Sequence, residues 1–299
     1  MSNKREIIFH AFNWDIKAII ENLLDIKKAN FTAIQISPIQ KCKLGNEWWK
    51  LYQCFSFSEI GNRLGTEEDL IELTKRANEL DIKIIVDLVI NHVAGNDKGE
   101  LKPHKDVDKE ILNHSEFFKE MKPIKNWDDR WEVTNYCLGG LPSIKLDNTN
   151  LQDIIIKTMN HFIDIGVKGF RIDSCKQIKT VSEGSNFFSN VLKGLKQEVF
   201  IYGELLNCTS EMVDEYSKYI NVGINNNVGS DKSRQVHWTF SHDDHLTFNI
   251  QKHYDWNVIM NEWEWALGEN KEYNMLFYPL PFEDVWKTDR MSQINNTYK

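Results

Sequence analysis

Short runs of β-branched and aromatic residues recur along the chain at 7–12, 31–37, 82–90, 167–173, 199–205, 219–224, 235–241 and 273–280, and each has the length of one strand. Between them, apolar positions three and four apart predict helices at 16–29, 67–80, 151–165, 187–197, 210–217 and 257–267. The second helix has a defined start, since Thr66 can cap it while Glu67, Glu68 and Asp69 place negative charge at its positive dipole end. Eight strands alternating with helices predict an α/β protein whose parallel sheet closes into a TIM (β/α)8 barrel.

Two stretches break the alternation. From Val93 to about Asn150 the pattern is polar and carries Pro103, Pro123, Pro142 and the cluster Trp127-Asp128-Asp129-Arg130-Trp131. A structureless loop of that length is uncommon, so a small subdomain inserted after the third strand is expected, with a long loop as the alternative. The Asn- and Gly-rich segment 225–234 is too short for an ordinary sixth helix. The division is then a barrel from 1–92 and 151–281, an insert at 93–150, and a C-terminal tail at 282–299.

Composition narrows the partners. A net charge of -8 disfavours non-specific binding to nucleic acid, and the lysine-rich stretch from Lys119 to Lys125 reads as a solvated face. Ten tryptophans offer stacking surface for a neutral, hydroxyl-rich ligand. No apolar run is long enough for a membrane span, and the start at Met1 lacks the apolar region of a secretory signal, which leads to an expectation of a cytoplasmic protein. Cys42, Cys54, Cys137, Cys175 and Cys208 are odd in number and include no C-x-x-C pair, so reduced thiols are expected, with a Cys42 to Cys54 bridge as the competing idea. Oligomeric state is left open.

Candidate chemistry lies at the ends of four strands, in Val86-Asp87-Leu88-Val89-Ile90-Asn91-His92, Gly169-Phe170-Arg171-Ile172-Asp173-Ser174-Cys175-Lys176, Tyr202-Gly203-Glu204 and Ser241-His242-Asp243. Strand C-termini of a barrel deliver side chains to one shared face. Retaining glycoside hydrolysis needs a carboxylate to attack the anomeric carbon and a protonated carboxyl for the leaving oxygen, roughly 5 to 5.5 Å apart. Arg171 lies two residues before Asp173, so on a strand both side chains share a face and the cation should keep Asp173 ionised. Glu204 follows the apolar run Val199-Phe200-Ile201-Tyr202, whose surroundings should raise its pKa for acid work. Taken singly, each acid reads more readily as a structural ion pair or a helix cap, and each His as a satisfied polar residue; the set of four changes that reading.

The four segments, in order and type, resemble the α-amylase family of retaining α-glucan hydrolases (glycoside hydrolase family 13). The resemblance extends to His10-Ala11-Phe12-Asn13-Trp14, Gln35-Ile36-Ser37-Pro38, the loop Trp48-Trp49-Lys50-Leu51-Tyr52-Gln53 and Gly61 to Leu70, and runs to about Pro281. It implies Asp173 as nucleophile, Glu204 as general acid and base, Asp243 as transition-state stabiliser and Arg171 as orienter of the nucleophile. It further implies that His92 and His242 bind the reacting sugar, that Tyr52 stacks beneath it, and that Trp48, Trp49 and Gln53 line the non-reducing side. Core packing is the other reading of the Trp pair.

Lys176, three residues after the nucleophile, implies endo-cleavage of α-1,4 bonds in starch, glycogen or maltodextrins, while Gln177 stands where the family often has His. The resemblance also implies a calcium ion held by Asn91 and a carbonyl near Thr134, but Ser143 replaces an expected Asp, so a weak or absent site is anticipated. No organic cofactor is expected. The family's C-terminal β-sandwich is expected to be absent, since about twenty residues follow the eighth strand. A transglycosylase or exo-α-glucosidase of the same family, and a catalytically weak α-glucan-binding protein, remain alternatives.

Overall fold

The computed structural model describes residues 7–206, 209–225, 235–241, 245–249 and 274–278. In chain order its elements are β1 (Ile7–Ala11), α1 (Ile16–Lys28), β2 (Ala33–Ile36), β3 (Gly61–Asn62), β4 (Gly65–Thr66), α2 (Glu67–Glu79) and β5 (Lys83–Leu88). There follow α3 (Lys109–Leu112), α4 (Arg130–Asn135), α5 (Thr149–Asp164), β6 (Gly169–Ile172), α6 (Phe187–Gly194), β7 (Phe200–Leu206), α7 (Ser210–Ser217), β8 (Asn221–Asn225), β9 (Gln235–Ser241), β10 (His245–Asn249) and β11 (Asn274–Tyr278). The helix expected at 257–267, the tail at 282–299, and His242, Asp243 and Cys208 lie outside the described residues.

β1, β2, β5, β6, β7 and β8 form a continuous parallel run, and the strand order β1-β11-β10-β9-β8-β7-β6-β5-β2 returns to β1. Among the described residues nine strands therefore make the ring, and β9 is antiparallel to both β8 and β10, which corrects the expectation of eight parallel strands. The cause is chain length. Nine residues separate β8 from β9 and three separate β9 from β10, whereas a parallel crossover takes about a dozen or more. The architecture is thus α/β around a mainly parallel sheet.

Helix starts follow local chemistry. Thr66 and Asp69 form a reciprocal capping box on α2, Asp15 caps α1, and Asn148 caps α5. Apolar faces of α1, α2 and α5 pack on the outer faces of the strands, through Ile19, Leu23, Leu73, Ile155 and Phe162. Within the ring a smaller cluster of Ile8, Ala33, Ile85 and Tyr202 forms an apolar floor. Above it, Tyr202 donates to Gln35 Oε1, and Gln35 Nε2 meets His10 Nε2 at 2.9 Å, all three residues being buried.

Residues 93–150 hold short elements only: α3, α4 and the 3₁₀ turn Ser115–Phe117. They return to the end of β5 through the single bridge of His92 with Ser143, and Phe118 bridges Ile144 within the segment. Ile144 N donates to Asn91 O at 2.8 Å, and Lys119 N to Ser143 O at 2.8 Å. Lys119 itself overturns the reading of its lysine run as solvated, since it is 6% exposed and its Nζ donates to Gln177 O at 2.8 Å. Cys42, Cys54 and Cys137 are free and buried, Cys175 is buried too, and burial pushes the Cys42 thiol up to about 11. Among the described residues no helix is long and apolar enough to cross a membrane.

One glycine fixes how β7 meets the turn that follows β6. A Cβ on Gly203 would lie 2.5 Å from Cys175 Sγ and 2.9 Å from its Cβ. Gly203→Ala is therefore expected to overpack this contact and cost about 1–3 kcal/mol. Urea unfolding of the variant checks it, and unchanged stability would show that the turn can move away.

Candidate active site

Strand register assembles the polar centre. Asp87 pairs with Arg171 and Arg171 with Tyr202, so three neighbouring strands meet at one level. Asp173 and Glu204 immediately follow the next pair, Ile172 with Gly203. Arg171 is buried and reaches all three acids: Nη1 lies 2.7 Å from Asp87 Oδ1 and 2.9 Å from Asp173 Oδ1, and Nη2 lies 2.6 Å from Glu204 Oε1. The shared face expected of Arg171 and Asp173 is what the strand provides.

Electrostatics divide the acids. Burial pushes Glu204 above the usual carboxylate range, with Arg171 pulling against it and Asp173 adding to the rise. Burial also raises Asp87 to about 7, although Arg171 and the Tyr52 hydroxyl oppose it. Arg171 would be lowered by its own burial, yet Asp87, Glu204 and Asp173 hold it well above its ordinary value. Burial thus favours the protonated forms of Asp87 and Glu204, which share the field of one guanidinium.

Two residues central to this arrangement were not singled out in the sequence. Asp87 sits in an apolar run and reads there as part of a buried strand; its signal was a carboxylate inside that run, which demands a partner. Ser174 follows Asp173 with φ 54° and ψ 35°, a left-handed conformation costing roughly 1–3 kcal/mol outside glycine. In return its N–H donates to Glu204 Oε2 at 2.9 Å and its hydroxyl to Asp173 Oδ2 at 2.9 Å. Backbone strain of this kind has no sequence signature in a serine.

The aromatic loop forms the 3₁₀ turn Trp48–Tyr52. Tyr52 OH donates to Asp87 Oδ2 at 2.8 Å, which fixes the ring beside the acids. Trp48 is half-buried and edge-on to Tyr52, with centroids 5.9 Å apart, while Trp49 is 41% exposed with Lys50 Nζ 5.6 Å from its ring centroid. Gln53 is half-buried and closes the turn. His92 is buried, with Nε2 at 2.9 Å from Tyr52 O and Nδ1 lacking a protein partner among the described residues. Burial lowers its pKa, favouring the neutral ring. Lys176 is buried in the 3₁₀ turn Cys175–Gln177, with its carbonyl accepting from Arg130 Nη1.

Asn91 and Thr134 belong to a different place, the junction of 93–150 with the strand ends. The Asn91 amide is buried with neither Nδ2 nor Oδ1 partnered among the described residues. Thr134 lines a cavity of about 190 Å³ with Lys119, Ile144, Asp147 and Gln177. Ser143 Oγ is engaged with Leu138 N at 3.0 Å and Leu141 O at 3.3 Å. Burial draws the Lys119 amine down to about 7.

The whole-chain comparison decides the family. The model of the alpha amylase catalytic domain matches residues 2–279. The chain belongs to the alpha-amylase catalytic-domain family. Among curated relatives, an alpha-amylase of Clostridium acetobutylicum is 31% identical over 236 residues, covering 74% of this chain and 30% of its own length. An alpha-amylase of Thermomonospora curvata is 33% identical over 189 residues, covering 59% and 31% respectively. Among solved structures, a maltohexaose complex of an alpha-amylase I mutant from Eisenia fetida shares the fold at TM-score 0.64 and 23% identity, over 73% of this chain and 49% of its own. An acarbose complex of alpha-amylase from Geobacillus thermoleovorans gives TM-score 0.60 and 25% identity, over 72% and 49%. The chain spans about a third to a half of the length of these relatives.

In the alpha-amylase frame the guanidinium of Arg171 is the charge that lets acids of one sign share a buried site. Arg171→Gln is expected to cost about 3–5 kcal/mol near neutral pH, as for a buried pair that loses one partner. Without the cation the folded pKa values of Asp87 and Glu204 rise further above their unfolded values. Their contribution is then fully present below the unfolded pKa and lost as pH rises through the folded one. The deficit should therefore be larger at pH 8 than at pH 5 in urea unfolding; equal deficits would mean that the guanidinium acts by packing alone.

Proposed function

We propose that the chain is the catalytic barrel of a retaining α-glucan hydrolase that cleaves internal α-1,4 bonds of starch, glycogen or maltodextrins. The observation that carries this reading is the division of labour around Arg171, with Asp173 held by a guanidinium and a hydroxyl while Glu204 is pushed toward its protonated form. Asp173 attacks the anomeric carbon as the Glu204 proton passes to the leaving glycosidic oxygen. Glu204 then takes a proton from the water that releases the sugar from Asp173. Asp243 is proposed to stabilise the oxocarbenium-like charge and His242 to bind the sugar beside His92, on the strength of the family resemblance. The exposed face of Trp49, with Trp48, Tyr52 and Gln53 in the same turn, supports a non-reducing-side platform. The (β/α)8 frame and the role of 93–150 as an inserted subdomain belong to the same proposal. Relatives crystallised with maltohexaose and acarbose support a maltooligosaccharide-shaped ligand.

Amylose digestion tests the reaction, with iodine staining followed beside reducing ends. Endo action makes staining fall while few ends appear; ends that accumulate with staining retained would replace it with exo action, and no new ends would overturn the hydrolase. Asp173→Asn and Glu204→Gln are each expected to lower kcat by several orders of magnitude with much smaller effects on KM. Near-wild-type turnover in either variant overturns its assignment.

The raised Glu204 must be protonated to act as acid, so kcat/KM should fall as pH rises through its pKa. Asp87→Asn removes one negative charge from Arg171, leaves more of the guanidinium's field for Glu204, and should move that alkaline limb to lower pH. A pH profile that does not move would separate Asp87 from the titration.

A further inference from the structure

The loop after β6 is held from residues 93–150 by side chains that carry their own N–H groups. Three successive carbonyls take part: Lys176 O accepts from Arg130 Nη1, Gln177 O from Lys119 Nζ at 2.8 Å, and Ile178 O from Arg130 Nη2 at 2.9 Å. Arg130 is locked in turn by Glu183, at 2.5 Å from Nε, and by Tyr216 OH at 2.8 Å from Nη2. The calcium site implied by the family resemblance would fall at this same junction, between Asn91, the Thr134 carbonyl and the position of Ser143.

The donor set does not suit a hard divalent cation. Calcium prefers six to eight oxygens with carboxylates among them. Here Asn91 and Ser143 are neutral, the Ser143 hydroxyl is already engaged, and the one carboxylate named in the cavity lining, Asp147, is paired with Lys179 at 3.2 Å. The Gln177 carbonyl beside the cavity is taken by Lys119, and Lys119 and Thr134 line one cavity. Among the described residues no group of three His, Cys, Asp or Glu side chains is placed to hold a metal. The unpartnered Asn91 amide is the feature that speaks for an ion or a water there.

We propose that Lys119 stands in for the divalent cation at this junction, its Nζ tying the loop after β6 to residues 93–150 so that no calcium is needed. The tie requires only an N–H, which the amine keeps in either protonation state. It rests on the placement of the junction by family resemblance and is independent of whether the chain turns over α-glucan.

Thermal unfolding of the full chain in EGTA and in calcium chloride, with metal analysis after dialysis, tests it. The wild-type Tm should be the same in both, because a functional site at a hundredfold excess of calcium over its Kd would raise it by about 5 °C or more. Lys119→Met should lower Tm by about 3–8 °C in EGTA, since it strands a buried carbonyl. The double change Lys119→Ala and Ser143→Asp, which vacates the cavity and adds a carboxylate, should acquire a Tm that rises with calcium. A wild-type Tm that falls in EGTA, calcium retained stoichiometrically through dialysis, or a double variant that folds yet ignores calcium would overturn the proposal. If the variants do not fold, the wild-type response to EGTA and calcium decides alone.

Discussion

A single buried guanidinium sets the terms for this site. Arg171 faces Asp87, Asp173 and Glu204 at once, and one positive charge against three carboxyls would leave two uncompensated negatives if all were ionised. In surroundings of low dielectric that excess is relieved by keeping a proton, which is why burial can hold both Asp87 and Glu204 above the carboxylate range while Arg171 rises. The proton is therefore held by the arrangement as a whole. Removing any member redistributes the proton among the others.

That arrangement needs a dry floor and rigid walls. Ile8, Ala33, Ile85 and Tyr202 form an apolar cluster below the acids, and Tyr202, Gln35 and His10 join buried polar groups between that cluster and the site. Tyr52 enters from the aromatic turn and links that turn to Asp87 by one hydrogen bond. The turn that carries Trp48 and Trp49 is thereby tied to Asp87.

The sequence made the parallel strands up to β8, their intervening helices and the Arg171–Asp173–Glu204 constellation legible, because each has a local cause. Alternation fixes a face, Thr66 with Asp69 fixes a helix start, and a two-residue spacing puts Arg171 beside Asp173. Strand direction has no such cause. Gln235–Ser241 and His245–Asn249 alternate as any strand does, and the shortness of the connections around them was the clue to antiparallel pairing. Lys119 was misread for a related reason: Lys119, Lys122 and Lys125 look alike in sequence, and only the return of 143–144 alongside 118–119 buries the first of them.

The loop after β6 shows why such tertiary ties bear on chemistry. Ser174 holds a left-handed backbone that a serine would leave if free to do so, and in that conformation its N–H and hydroxyl reach Glu204 and Asp173. The strain persists only if both ends of the residue are held. On one side β6 pairs with β5 and β7; on the other, Lys176, Gln177 and Ile178 are gripped by Arg130 and Lys119. Asp173 and Glu204 are thus oriented through a turn whose stability is supplied from residues 93–150, more than forty positions earlier in the chain. A change at that distant clamp would act on the reaction by relaxing Ser174, without touching a carboxyl.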